Sequence, residues 1–172
     1  MCGARVETPA PHTSYIFKHN VTHEVAYGTL LFTQRRDLHR DVGVALERVA
    51  PTEIAQLARH TFLGEDWERA LRYQALAGRQ AQKLFANHEG IEHLRRALQS
   101  AEHLPDAAMD AQRLAIHADL GELLTTTSQY EPAQEHLNQA LALADALADR
   151  DARARVCRWF ARLHELRGEF AS

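Results

Sequence analysis

The chain has 172 residues, 45% hydrophobic and 25% charged, with a formal net charge of −3. That length can bury an ordinary core, and the acidic balance excludes a strongly basic protein that coats nucleic acid while leaving room for a local basic face. No apolar run approaches the roughly 20 residues needed to span a bilayer, Met1 to Ser14 lacks the apolar centre of a secretory signal, and Cys2 and Cys157 lack the paired spacing of a metal knuckle or redox motif; a cytoplasmic protein is expected.

Residues 1–14, with Pro9 and Pro11 and no apolar periodicity, read as an irregular lead-in. Tyr15, Ile16 and Phe17 fit one short strand. A helix is predicted from Asn20, a reasonable N-cap, because Val21, Val25, Gly28 and Phe32 recur at helical spacing. Between Gln34 and Val49 the set Leu38, Val42, Ala45 and Val49 falls at steps of four, three and four, which predicts a helix packed on that stripe with Arg35, Arg36, His39 and Arg40 mostly on the other side. Pro51 closes this unit.

From there the chain reads as helical hairpins. Thr52 to Leu63 and Trp67 to Phe85 are separated by Gly64, Glu65 and Asp66, the last placed to cap the second helix. Asn87 to Leu104 follows, Pro105 and Asp106 punctuate, and Ala107 to Thr126 and Tyr130 to Ala148 form another hairpin around Thr127, Ser128 and Gln129. In the last of these the stripe Tyr130, Ala133, Leu137, Ala140, Ala144 and Leu147 keeps a step of three or four. A final helix, Ala152 to Arg167, runs into Gly168, Glu169 and Phe170, which match Ser128, Gln129 and Tyr130. A further packing helix is therefore expected, and with it a chain cut from a longer polypeptide.

The chain also repeats itself. Glu92 to Leu104 (EHLRRALQSAEHL) returns as Glu135 to Leu147 (EHLNQALALADAL), a spacing of 135 − 92 = 43 positions, and Gly78 maps onto Gly121 in the same register. A repeat of that period is the mark of stacked helical units. Small, large and small residues at Gly90, Leu94 and Ala97, and again at Ala133, Leu137 and Ala140, resemble the tetratricopeptide signature. A degenerate earlier unit supplies Trp67 and Ala70. The spacing exceeds the family's usual length of about 34, which implies longer helices or a looser connection around Pro105 to Gln112.

The stretch before the repeats carries a second resemblance. Tyr15-Ile-Phe-Lys-His19, Glu24-Val-Ala-Tyr27, Leu30-Leu31, Arg35-Arg36, Leu38-His39 and Leu46-Glu47, continuing into Leu57-Ala-Arg-His60 and Gly64 to Leu71, resemble the winged-helix end of a bacterial signalling ATPase of the AAA or STAND type. In that family tetratricopeptide-like repeats follow the ATPase, and a class III adenylate or guanylate cyclase domain often precedes it. The resemblances together imply an all-α fold: residues 15–50 a winged-helix-like remnant, and residues 51–172 a right-handed superhelical array of antiparallel hairpins.

Several site expectations follow from the family. His19 would sense a nucleotide, ATP or ADP, bound by a domain outside this chain. The chain has no GxxxxGK[ST] loop and no pair of aspartates in the strand-loop setting of a cyclase, so it should itself neither hydrolyse nor cyclise ATP and should hold no cofactor. His19 and His23 stand four apart beside Glu24 but lack a third ligand, so no metal site is expected. Tetratricopeptide arrays line their groove with the first helix of each hairpin, which here implies a partner surface of Arg72, Arg79, Lys83, Glu122, Thr125, Arg155, Arg158 and Arg162. Arginine forks suit carboxylates, so the expected partner is an acidic peptide or an acidic face of another domain, with membrane and nucleic acid not expected. The rival reading is a DNA-binding regulator that contacts phosphates through Arg35, Arg36, His39 and Arg40.

Overall fold

In the computed structural model the described residues are 4–6, 15–17, 25 and 27–168. Strand β1 (Ala4–Val6) pairs antiparallel with β2 (Tyr15–Phe17), Arg5 standing opposite Ile16. The strand at Tyr15 agrees with expectation; the irregular lead-in is corrected at Ala4–Val6, which supplies the partner that so short a strand needs for its backbone groups, and the rest of residues 1–14 lies outside the described residues. Apart from this pair, the regular structure among the described residues is helical: α1 (Phe32–Val49), α2 (Ile54–Leu63), α3 (Trp67–Lys83), α4 (Asn87–Ala101), α5 (Asp106–Thr126), α6 (Tyr130–Ala146) and α7 (Arg150–Arg167). Each helix packs against the next along the chain, and α5 also meets α7.

One turn recurs at four of the helix junctions. Its central residue is left-handed and never glycine: Glu65 (φ 52), Phe85 (φ 60), Ser128 (φ 60) and Ala148 (φ 53). The next residue's amide reaches back five positions in every case, from Asp66 to the Thr61 carbonyl, Ala86 to Ala81, Gln129 to Leu124 and Asp149 to Ala144. This satisfies carbonyls that a helix end leaves open. Asp66 and Asp149 then cap the following helices, accepting from the amides of Arg69 and Ala152. The α4–α5 connection breaks the rule at Pro105. Part of the extra repeat length lies there, since α5 has 21 residues against 17 in α3, 21 − 17 = 4, one added turn at its start.

Small residues set the depth of helix contact. A Cβ on Gly78 would lie 2.7 Å from Leu94 Cγ, and one on Gly121 would lie 2.5 Å from Leu137 Cδ2. The equivalent contact in the first pair is looser, Gly43 facing Thr61 Cγ2 at 3.4 Å. Beside each of these glycines, one turn earlier, a polar side chain crosses to the residue preceding the contacted one: His39 to His60, Gln74 to His93 and His117 to His136. Three hairpins, α1–α2, α3–α4 and α5–α6, thus share one register. Trp67 belongs to the α3–α4 unit, not to a degenerate earlier one, and the earlier unit is α1–α2. The register therefore crosses Pro51, where it had been expected to stop.

The face of α1 is a second correction. The stripe expected to be packed is open, with Leu38 47% and Val49 63% exposed. His39 and Gly43 are buried instead, with Leu46 packed beside Leu57, Ala58, Tyr73 and Ala77. Both stripes have helical spacing; the one against α2 carries the His39–His60 contact, Gly43 and Leu46. The helix predicted from Asn20 through Phe32 also breaks earlier, since Leu31 is extended and Phe32 opens α1. In α6 the centre of the expected stripe holds, with Ala133, Leu137, Ala140 and Ala144 buried and Tyr130 half-buried, but Leu147, just past the helix end, is 43% exposed.

Candidate functional site

The first helices of successive hairpins are linked by one ionic network. Asp119 in α5 accepts from Arg79 of α3 at 2.8 Å through one oxygen and from Arg155 of α7 at 2.7 Å through the other. Arg155 also reaches Glu122 at 3.0 Å, and Gln82 donates to the same carboxylate. The spacings explain the alignment, because Arg79 with Gln82 and Asp119 with Glu122 are each three apart and share a helix face. The Asp119 side chain is only 5% exposed. A carboxylate so buried needs charged donors, and two guanidinium groups supply them. No side-chain nitrogen or oxygen buried among the described residues lacks a hydrogen-bond partner.

A second cluster joins α1 to α3. Glu47 accepts from Arg72 and from the Tyr73 hydroxyl, and pairs with Arg69 at 3.2 Å. The Tyr73 hydrogen bond, helped by the two arginines against a smaller effect of burial, holds the Glu47 carboxyl below its ordinary range. Two clefts sharing Arg72 and Gln112 open along this side. One is polar, between Glu47, Asp66 and Arg69. The other, about 460 Å³, lies between α3 and α5 on Leu71, Ala75, Leu76, Ala115 and Ile116, with Arg72 and Arg79 at its rim.

The eight expected partner residues divide accordingly. Arg79, Glu122 and Arg155 come together in the network, and Arg72 stands at the junction of the two clefts. Lys83 and Arg158 are exposed, and Arg162 pairs with Glu165 at 2.6 Å. Thr125 is corrected: it is 1% exposed and its hydroxyl donates to the Gly121 carbonyl at 2.7 Å, so it faces the core. Sequence reasoning missed Asp119, Gln82 and Glu47. Asp119 carried a usable signal, one of two carboxylates in the largely apolar run Ile116 to Leu124, the other being Glu122 on the same face. Its two arginines lie 40 and 36 positions away and leave no local trace.

Histidines act inside the hairpins. His39 and His60 approach through their Nδ1 atoms at 2.9 Å, and Tyr27 meets the far nitrogen of His39 at 2.8 Å. His117 and His136 repeat the contact at 2.9 Å. Burial, then the neighbouring His136 and Arg113, pushes His117 down to about 4, and burial lowers His136 as well. Both rings are neutral at pH 7, one donating to the other. His19 and His23 lie outside the described residues. Among the described residues no group of three or more His, Cys, Asp or Glu is placed to hold a metal ion.

The basic residues of α1 serve the fold. Arg35 donates to the carbonyls of Leu30 and Gly28, Arg36 pairs with Asp37 and Glu65, and His39 is buried. Of the four named for phosphate contact, Arg40 alone is exposed and makes no side-chain hydrogen bond or ion pair among the described residues. Among the described residues no helix is long and apolar enough to cross a membrane. No protein-family model, no curated protein and no solved structure matches this chain.

Proposed function

We propose that this protein is a non-catalytic interaction module, a tetratricopeptide-like array whose first helices form the receiving side for a protein partner. The observation that carries the reading is the network Arg79–Asp119–Arg155, which aligns α3, α5 and α7 along one side beside an apolar cleft rimmed by Arg72 and Arg79. A partner segment with an apolar side chain flanked by carboxylates fits that arrangement. The apolar group enters between Ala75 and Ala115, and the carboxylates meet Arg72, Lys83 and Arg158. Arg79 and Arg155 hold Asp119 and Glu122 and so shape the groove, while Lys83, Arg158 and Arg72, whose side chain is 56% exposed beside Glu47, face the ligand.

We further propose, from the resemblance of residues 15–50 to the winged-helix end of a signalling ATPase, that the module lies downstream of a nucleotide switch and relays partner binding to it. Titration of an acidic peptide carrying one leucine into the purified chain, followed by fluorescence anisotropy, tests the groove. Saturable binding that is lost in Arg72→Glu/Arg158→Glu supports it; equal binding by wild type and variant, or none at all, sinks it. Metal-dependent ATP turnover above a mock preparation would overturn the non-catalytic reading.

A further inference from the structure

Register equivalence makes the open stripe of α1 informative. Gly43, Gly78 and Gly121 occupy one position, 78 − 43 = 35 and 121 − 78 = 43, so Leu38 and Val42 correspond to Tyr73 and Ala77 in α3 and to Ile116 and Leu120 in α5. Those four equivalents are buried, Tyr73 and Ala77 beside Leu57 and Ala58 of the preceding helix. In α1 the same face carries Leu38 and Val49 at 47% and 63% exposure, with Ala45 also exposed and Val42 half-buried. Leu38, Val42, Ala45 and Val49 step by four, three and four, the narrow seam of a two-stranded coiled coil. Asp41 and Arg48 border the seam on the side away from α2, both exposed and neither ion-paired among the described residues.

We infer that this seam is a self-association surface on which α1 of a second copy of the chain packs antiparallel. Charge selects that occupant and that direction. With Val42 set beside Ala45 of the second copy, Leu38 falls beside Val49 and Asp41 falls beside Arg48. The two-fold axis repeats each contact, so two Asp41–Arg48 pairs flank four apolar layers. A parallel pairing would put the two copies of Asp41 on opposite flanks of the seam, each facing Leu46, and would make no Asp41–Arg48 pair. His39 and Gly43 lie on the α2 side of the helix and stay covered. The 18-residue helix is roughly 27 Å long, which gives a small interface and a weak, concentration-dependent dimer.

Sedimentation velocity of the full chain from low micromolar to near-millimolar concentration reads this directly. Wild type is expected to shift from monomer toward dimer mass. Asp41→Arg and Arg48→Asp, each placing like charges at both pairs, are expected to raise the dissociation constant about tenfold or more. The double variant Asp41→Arg/Arg48→Asp reverses both signs and is expected to restore dimerisation, which separates a lost contact from a damaged fold. Monomer mass for wild type at every concentration, dimerisation indifferent to the single reversals, or no recovery in the double variant would each overturn the assignment.

Discussion

Hairpins α1–α2 and α5–α6 follow one register, yet the same positions do different work. Asp41 and Asp119 are equivalent by the glycine alignment, 121 − 43 = 78 and 119 − 41 = 78; the first is exposed and unpaired, the second is 5% exposed and holds two arginines. Leu38 and Ile116 differ likewise, 47% against 1% exposed. The contact inside each hairpin is specified by a glycine and a polar pair, whereas the opposite face depends on whether another helix lies against it. The register sets what a helix can pack; its neighbours decide what is packed.

The largest test of this contrast removes equivalent apolar side chains. Ile116→Ala should cost about 3 kcal/mol in urea unfolding and Leu38→Ala under about 1 kcal/mol, because only the first leaves a buried cavity. Comparable losses would mean that the two faces are equally covered. Next come the glycines. Gly121→Ala should destabilise by about 2 kcal/mol, since its Cβ meets Leu137 at 2.5 Å. Gly43→Ala, with 3.4 Å to Thr61, should be neutral or stabilise by up to about 1 kcal/mol through helix propensity.

A smaller effect separates the polar pairs by pH. His117 titrates at about 4 in the folded chain against 6.5 for an ordinary histidine. Between those values the unfolded state binds the proton and the folded state does not, so the stability from its neutral form is full above 6.5 and falls as pH drops toward 4. His117→Gln, which copies Gln74 of the middle hairpin, should reduce the fall of the urea midpoint over that range, the buried His39, His60, His93 and His136 still contributing, while changing it little at pH 7. An unchanged slope would remove His117 as the source. Smallest is Ser128→Gly, which relieves the left-handed backbone at φ 60 and should add about 0.5–1 kcal/mol; a lowered melting temperature would count against strain there.

Much of the fold was legible because its determinants are local. The Gly64-Glu65-Asp66 turn, the cap at Asp66 and the stripe through Ala133, Leu137 and Ala140 are written within a few residues of where they act. The α1 face was misread because two helical stripes coexist on it. A hydropathy pattern favours Leu38 and Val49, while the buried one contains a histidine and a glycine, whose packing value shows only when α2 is in place. The candidate site was half legible for the same reason: Arg79 and Arg155 stood out as cations on a periodic face, but the carboxylate that binds both comes from a helix between them.

The sequential packing of the helices also has a kinetic consequence. Contacts between neighbours along the chain close short loops, so the entropy lost in making each one is small and contact order stays low. Folding in such a chain can start at any adjacent pair and spread outward. Amide hydrogens in α4 and α5, held from both sides, should exchange slowest, and those of α1, with its open flank, should exchange early, making that helix the first to loosen when the chain is challenged.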